Sequence, residues 1–411
     1  MPEEVVFSAA NFKKGGYIII EDQTESDEFY IIRQGKVAET RSASMLEGDK
    51  ETVLGVGDFF GVISCMSRRP RIETVQAIED TSTIVVKREQ FGALIQKNAP
   101  IAMKILRYFG KQLRYYDSVL TKLTLRSSLE EDPNHLFDLG EYFYANQLFN
   151  QAAYAYAHYI KFCPEGGYIP QAKQKLAKIN PNPDSLLPKK EGFYSLYNDG
   201  QIIFLEHEPG NELYIIQEGK VKITKFVNNS EVLLAVLKKG DIFGEMSLLD
   251  NKPRSASAIA FGPVKVMAIN KTNFEPTVQA HPEIATRIIE LLSERIWLIY
   301  RQLANLLIKD PVNRIYDALY TQLHKARVNF APNVQYQFDF GPDELMKFLG
   351  FNKQEWAMHF KKFLDLEKTV SINEGKILCR DVSSIEKTIQ IIKRNIELEQ
   401  KKKTMSNTAA F

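Results

Sequence analysis

The chain has 411 residues, with 53 Lys and Arg against 51 Asp and Glu for a net charge of +2, and it is 44% hydrophobic and 25% charged. Those are the proportions of an ordinary globular protein long enough for two to four domains, and the near-neutral balance singles out no class of partner. No apolar run approaches the roughly 18 residues needed to cross a bilayer, and the start, MPEEVVFSAANF, lacks the basic-then-apolar pattern of a secretory leader. A cytoplasmic location with no membrane partner is therefore expected. Cys65, Cys163 and Cys379 are odd in number and far apart, which suits neither a disulfide framework nor a metal-ligand set. His135, His158, His207, His281, His324 and His359 show no metal-binding spacing. Reduced thiols and no metal are the expectation, with the proviso that ligands converging from distant positions escape a spacing test.

In chain order, residues 1–126 hold short β-branched and aromatic runs bounded by glycine: Tyr17 to Ile20, Phe29 to Ile32, Val37 to Thr40 and Ile84 to Lys87. Many short strands with turn residues between them predict a small β-barrel or jelly roll. A helix follows, with Ile101, Ile105, Phe109, Leu113, Tyr116, Leu120 and Leu123 recurring every three or four positions.

Residues 127–185 are rich in Ala, Tyr and Phe. Leu136, Leu139, Gly140, Phe143, Ala152, Tyr156, Tyr159 and Pro164 fall at the offsets of one tetratricopeptide repeat, with a covering helix over Tyr168 to Ile179. About three such units are needed to bury a solenoid core, so this TPR-like segment is expected to be a helical spacer packed on the barrels rather than a peptide groove. A protein partner bound through it stays open. The proline-rich run Asn180 to Lys190 reads as a linker.

Residues 186–308 repeat the first barrel. Phe29-Tyr-Ile-Ile-Arg-Gln-Gly-Lys-Val37 recurs 184 positions later as Leu213-Tyr-Ile-Ile-Gln-Glu-Gly-Lys-Val221, while Asp58-Phe-Phe-Gly61 and Pro70-Arg71 recur 183 positions later as Asp241-Ile-Phe-Gly244 and Pro253-Arg254. Runs such as Leu213 to Ile216, Val221 to Val227 and Val264 to Ile269 predict its strands. A second long helix is expected from Pro282 to Ile308, with Ile284, Ile288, Leu292, Ile296 or Ile299, Leu303 and Leu306 along one seam.

The most informative stretch is Phe243 to Ala258, FGEMSLLDNKPRSASA. Gly244 lets backbone approach a ligand, and the short apolar helix holding Met246 and Ser247 separates Glu245 from Arg254, Ser255 and Ala256. Arg254 is suited to the charged oxygens of a phosphodiester, the Ser255 hydroxyl and nearby amides donate to the same oxygens, and Glu245 accepts from a ribose hydroxyl. The spacing resembles the phosphate-binding cassette of cyclic-nucleotide-binding domains, and every position of that motif is filled. The first copy, FGVISCMSRRPRIETV, keeps Gly61 and Arg71 but has Val62 in place of Glu245 and Glu73 in place of Ala256. Losing a charged hydrogen bond costs about 1.5 to 3 kcal/mol, and a carboxylate beside Arg71 repels a phosphate. The first pocket is therefore expected to bind a cyclic nucleotide weakly or not at all, serving a structural or dimerising role or holding some other ligand.

Residues 309–396 turn helical after Asp310-Pro311. GPDELMKFLG at 341–350 ends in a glycine, Phe351-Asn352 lead into a second helix from Lys353 to Glu367, and Val370 to Leu378 turns at Asn373-Glu374-Gly375-Lys376. Helix, glycine turn, helix and hairpin predict a winged helix-turn-helix. Residues 397–411 read as a frayed helix and polar tail. The resulting α+β multidomain order resembles CRP/FNR-type transcription regulators: tandem β-barrel (jelly-roll) domains each with a long C-terminal helix, a TPR-like helical linker, and a winged helix.

That resemblance implies a long helix that dimerises and closes over the purine, with Tyr300 at a purine-contacting position, and a homodimer on double-stranded DNA. The recognition helix departs from the family pattern. Asn352, Lys353, Gln354 and Glu355 stand where Ser-Arg-Glu-Thr is usual, and Met358 replaces a second arginine. Gln354 suits adenine, and Lys353, Lys361 and Lys362 suit phosphates. Between Gly341 and Arg394 ten Lys and Arg face eight Asp and Glu, a thin basic footprint. Two readings follow: a cyclic-AMP-responsive DNA-binding regulator, with cyclic GMP the second choice of ligand, or a nucleotide-sensing adaptor acting through protein contacts. No nucleophile–base pair, Walker loop or dinucleotide fingerprint points to an enzyme, a catalytic residue or a cofactor.

Overall fold

Phe29, Tyr30, Ile31 and Ile32 are all buried, as a continuous apolar run in the middle of a sandwich requires. They lie in the third strand of a computed structural model that describes residues 6–24, 26–41, 52–125, 134–182, 186–192, 194–227 and 229–408. The chain divides into two compact units, residues 1–40 with 51–299 and residues 41–50 with 300–411.

In the first unit the first repeat comprises β1 (Ser8–Phe12), β2 (Tyr17–Ile19), β3 (Glu28–Gln34), β4 (Val37–Thr40), β5 (Thr52–Leu54), β6 (Phe59–Phe60), α1 (Val62–Ser67), β7 (Thr74–Ala77) and β8 (Thr81–Lys87). Its strands form two antiparallel sheets, ordered β1-β8-β3-β6 and β2-β7-β4-β5. Helices α2 (Phe91–Lys97) and α3 (Ala99–Leu125) follow, then α4 (His135–Ala145), α5 (Phe149–Phe162) and α6 (Ile169–Ile179). The last three share one core in which Leu136, Leu139 and Phe143 meet Ala152, Tyr156 and Tyr159, and that core takes in Ile202, Leu205 and Ile259 of the second repeat. Gly140 is required there, because a Cβ would lie 2.6 Å from the Tyr156 ring.

The second repeat has β9 (Lys189–Glu191), β10 (Tyr194–Tyr197), β11 (Ile202–Phe204), β12 (Glu212–Val227), β13 (Ser230–Lys238), β14 (Ile242–Phe243), α7 (Glu245–Asp250), β15 (Ser257–Asn270), α8 (Lys271–Ala280) and α9 (Pro282–Leu307). β12 is a single strand where two separate runs were expected. Gly219, at φ 84, carries the chain through irregular register between Ile216 and Lys220 instead of ending it. The repeat extends to side chains: Tyr30 stacks on Phe60 at 5.1 Å, and Tyr214 stacks on Phe243 at 5.1 Å.

Each repeat's long helix engages the cassette of the other repeat. On α3, Gly110 faces Leu249 of α7, and Arg114 Nη2 donates to the Pro253 carbonyl at 3.0 Å. On α9, Trp297 Nε1 donates to the Pro70 carbonyl at 3.0 Å. Arg114 and Trp297 are 183 positions apart, as are Pro70 and Pro253, so these are equivalent contacts made in both directions, the reciprocity of a twofold interface realised inside one chain. Arg69 adds an ion pair with Glu294. The seam residues Ile105, Phe109, Leu113, Ile288, Leu292 and Ile296 are all buried within the single chain.

In the second unit, the Asp310 side chain accepts from Val312 N at 2.8 Å and Asn313 N at 2.9 Å, starting α10 (Pro311–Lys325) at the Asp-Pro pair. β16 (Tyr336–Gln337), α11 (Pro342–Leu349), α12 (Lys353–Leu366), β17 (Val370–Asn373), β18 (Lys376–Cys379) and α13 (Val382–Thr408) follow, with a sheet ordered β16-β18-β17. Gly350 at φ 70 ends α11, and Glu374 and Gly375, both at positive φ, make the tight β17–β18 turn. α13 runs on to Thr408, past the frayed tail expected after Glu397, because no Gly or Pro interrupts it.

Two outcomes follow from this packing. A Cβ on Gly110 would lie 2.7 Å from the Leu249 Cβ, so Gly110→Ala lowers stability by about 1–3 kcal/mol in chemical denaturation. Gly92→Ala, in open space on α2, costs nothing measurable. Burial pushes the Cys65 thiol up to about 12 and also raises Cys379, and both are buried while Cys163 is partly exposed. A thiol reagent at neutral pH therefore labels Cys163 first and the other two only on unfolding.

Candidate functional site

The second cassette begins where β14 ends. Gly244 turns the chain into α7 at φ 76, and a Cβ there would lie 2.6 Å from Arg254 Nη1. The turn places Glu245 in the first helical turn, only 1% exposed, with its Oε1 accepting from Arg295 Nη1 of α9 at 2.7 Å. Its other oxygen, Oε2, is buried with no hydrogen-bond partner.

Arg254 is 5% exposed. Nη1 donates to the carbonyls of Gly244 at 2.6 Å and Glu212 at 2.8 Å and to Ser247 Oγ at 2.8 Å. The guanidinium lies 4.1 Å over the Phe204 ring and 5.7 Å over Tyr214. Its backbone is pinned from both sides, since His207 N donates to Arg254 O at 2.9 Å and Arg254 N to Glu208 O at 2.8 Å. Among the described residues no carboxylate comes within 4.0 Å of the guanidinium, and burial pushes its pKa below the ordinary value against the opposing pull of Tyr214, Glu208, Glu245 and Glu212. The Nε proton is buried without an acceptor. A desolvated cation lacking an anion is costly, and such sites are completed by an anionic ligand or partner.

Other residues singled out by the sequence fall around these two. Ser247 Oγ both accepts from Arg254 and donates to Gly244 O at 3.2 Å, Ser255 Oγ reaches Met246 Sδ at 3.6 Å, and Met246 and Ala256 are buried. Tyr300 is fully buried and belongs to the second unit. Sequence reasoning missed Gly210, Glu212, Phe204 and Arg295. At Gly210 a Cβ would lie 2.6 Å from Arg254 Nε and 2.2 Å from Ser247 Oγ. Gly210 and Glu212 immediately precede the repeated run at Leu213, a position that was available as a signal; Arg295 lies 50 residues from Glu245 and was not.

The first repeat reproduces half of this geometry. Gly61 sits at φ 81, and Arg71 donates to the Gly61 carbonyl at 3.1 Å and the Glu28 carbonyl at 2.8 Å, the counterparts of the two carbonyls held by Arg254. Val62 is buried where Glu245 stands in the second copy. Glu73 is 1% exposed, and its Oε1 accepts from Gly61 N at 2.6 Å. This carboxylate occupies a cassette amide itself.

On α12, Trp356, Phe360 and Phe363 are buried while Lys353, Gln354, Met358, Lys361 and Lys362 are exposed along the opposite face. Asn352 is exposed, but its side chain caps the helix by accepting from Glu355 N at 2.9 Å. Among the described residues no helix is long and apolar enough to cross a membrane.

Residues 9–98 and 195–281 each match the family described as the cyclic nucleotide-binding domain. A CRP-like cAMP-activated global transcriptional regulator of Mycobacterium tuberculosis is 28% identical over 188 residues, covering 44% of this chain and 84% of the relative. A cyclic AMP receptor protein of Thermus thermophilus is 34% identical over 125 residues, covering 30% of this chain and 58% of the relative. The crystal structure of the Thermus thermophilus catabolite activator protein is 26% identical over 48% of this chain and 89% of that one, with a TM-score of 0.26.

Replacing Gly244 by Ala strains a left-handed position and drives a methyl into Arg254, with an expected loss of about 1–3 kcal/mol from the second repeat in thermal or chemical denaturation. The two matched segments coincide with the two repeats, so each repeat resembles a cyclic nucleotide-binding domain, and the chain is similar to CRP-like regulators.

Proposed function

We propose that the chain is a cyclic-nucleotide-responsive transcription regulator that binds cyclic AMP, in preference to cyclic GMP, in its second repeat. The observation that carries this is a matched pair of unsatisfied buried atoms in one cassette, the Arg254 Nε donor and the Glu245 Oε2 acceptor. Buried polar atoms are nearly always hydrogen-bonded, and a ribose phosphate supplies an acceptor for the first and a hydroxyl donor for the second. Ser247 holds the guanidinium, Ser255 offers a further donor beside the buried Met246, Gly244 keeps a methyl off Arg254, and Ala256 is small. The first repeat does not bind nucleotide in this reading, because Glu73 already holds the Gly61 amide and Val62 offers no acceptor.

Glu245 also links the ligand to α9 through Arg295, so a bound ribose hydroxyl shares its carboxylate with the long helix. A ligand that binds two arrangements of that helix unequally shifts their balance. The second unit, read as a winged helix-turn-helix, is the output. Gln354 contacts a base edge, Lys353, Lys361 and Lys362 contact phosphates of double-stranded DNA, and Asn352 positions the helix. The repeats pair inside one chain, and the TPR-like insert is a spacer. The adaptor reading draws support from α12 itself, where Met358 is 61% exposed and Leu366 62% exposed among polar neighbours, apolar side chains that a protein partner could cover.

Calorimetry on the full chain tests the ligand. Arg254→Ala lowers affinity for cyclic AMP by about one to two decades, and undiminished binding removes the site. Mobility shift with a duplex library tests the output: cyclic AMP strengthens a salt-dependent complex, whereas no complex from low to moderate salt leaves the adaptor.

A further inference from the structure

The segment Leu205-Glu206-His207-Glu208 lies against the helical insert, and its two carboxylates meet insert histidines in different ways. At Glu208 the pairing is complete: His158 Nδ1, from α5, is 2.6 Å from Oε1 in a hydrogen bond. At Glu206 it is not. His135 Nε2, from the start of α4, is 3.0 Å from Glu206 Oε1 but is misaligned for a hydrogen bond, and it is buried with no other partner. Glu206 is 1% exposed, and among the described residues no Lys or Arg lies within 4.0 Å of its carboxylate. His207 closes the group, its ring stacked on that of His135 with centroids 4.2 Å apart and planes 18° apart. One ligand atom from each of His135, Glu206 and His207 lies within 4.8 Å of the others.

We propose that His135, Glu206 and His207 form a binding site for one divalent transition-metal ion of the Zn2+ type. Two imidazoles and one carboxylate suit Zn2+ and its neighbours better than Ca2+ or Mg2+, which prefer all-oxygen sets. Zinc bonds of about 2.0–2.2 Å place tetrahedral ligand atoms roughly 3.4 Å apart, so the three side chains need only draw inward by small rotations. The ion supplies a full positive charge beside the buried Glu206 carboxylate and a well-aligned partner for His135 Nε2. Phe226 N already donates to Glu206 Oε1 at 2.6 Å, holding the carboxylate in place, and the Phe226 ring stands edge-on to His135 at 5.8 Å. A water completes the fourth position.

The site belongs to the second repeat alone. By matching backbone bonds, Asp22 N to Arg71 O and His207 N to Arg254 O, the counterparts of Glu206 and His207 are Glu21 and Asp22, with no histidine. His207 adopts φ 66, which keeps its amide on Arg254 while its ring turns to the insert. A bound metal therefore ties α4 to the segment that pins Arg254. That coupling rests on the nucleotide reading above; the metal site does not.

The full chain, stripped with a chelator, is titrated with Zn2+ by calorimetry and with Co2+ by absorption. One equivalent binds, the Co2+ spectrum lacks the sulfur charge-transfer band that Cys163 would give, and Zn2+ raises the thermal midpoint. His135→Gln and His207→Asn, the latter compatible with positive φ, each lose affinity at least about tenfold while retaining a wild-type circular dichroism spectrum. The exposed His281→Asn variant binds as the wild type does. No uptake by the wild type, or uptake unchanged in both His135→Gln and His207→Asn, overturns the assignment whether or not cyclic AMP binds.

Discussion

The reciprocal grip between the repeats is the constraint on which the first unit depends. Arg114 on Pro253 and Trp297 on Pro70 are the same contact made twice, and they commit both long helices to the opposite cassette. The central seam residues Ile105, Phe109, Leu113, Ile288, Leu292 and Ile296 are buried, so much of the burial that two copies of a single-repeat chain would provide for each other is supplied here from within. Gly110 allows a close approach, because α3 lies against Leu249 where a Cβ would be only 2.7 Å from the leucine.

Within that shared frame the two cassettes have diverged by very few side chains. Both arginines hold the carbonyl of the cassette glycine and the carbonyl at the start of the central strand, and both tyrosine–phenylalanine stacks have the same spacing. The difference lies in the acids. In the second repeat Glu245 sits beside the cassette and Arg254 is left without a carboxylate within ion-pair distance; in the first, Val62 removes the acceptor and Glu73 moves onto the Gly61 amide. A buried guanidinium without an anion is a poor structural element and a good receptor.

The helical insert is part of this arrangement rather than a passive tether. Its core is continuous with Ile202, Leu205 and Ile259, and its histidines face the segment whose backbone clasps Arg254. In the C-terminal unit, the Gly350 turn, the Asn352 cap and the β17–β18 hairpin set α12 with an aromatic face inward and a mixed face of lysines, glutamine and methionine outward.

Local chemistry was legible in the sequence. Glycines at positive φ, the Asp-Pro helix start, the 3.6-residue stripes and the internal repeat each act over a few residues or recur at a fixed offset, so the strands, the helices and the inequality of Glu245 and Val62 could be read directly. Strand and helix ends were less legible, as β12 and α13 illustrate, because a continuing ladder or helix overrides weak local stop signals. Only tertiary structure decided which helix covers which cassette, that Arg295 shares Glu245, that Gly210 presses on Arg254, and that His135 meets Glu206 and His207 from about seventy residues away. Those are contacts between segments far apart in the chain, set by how whole faces pack, and no spacing along the sequence encodes them.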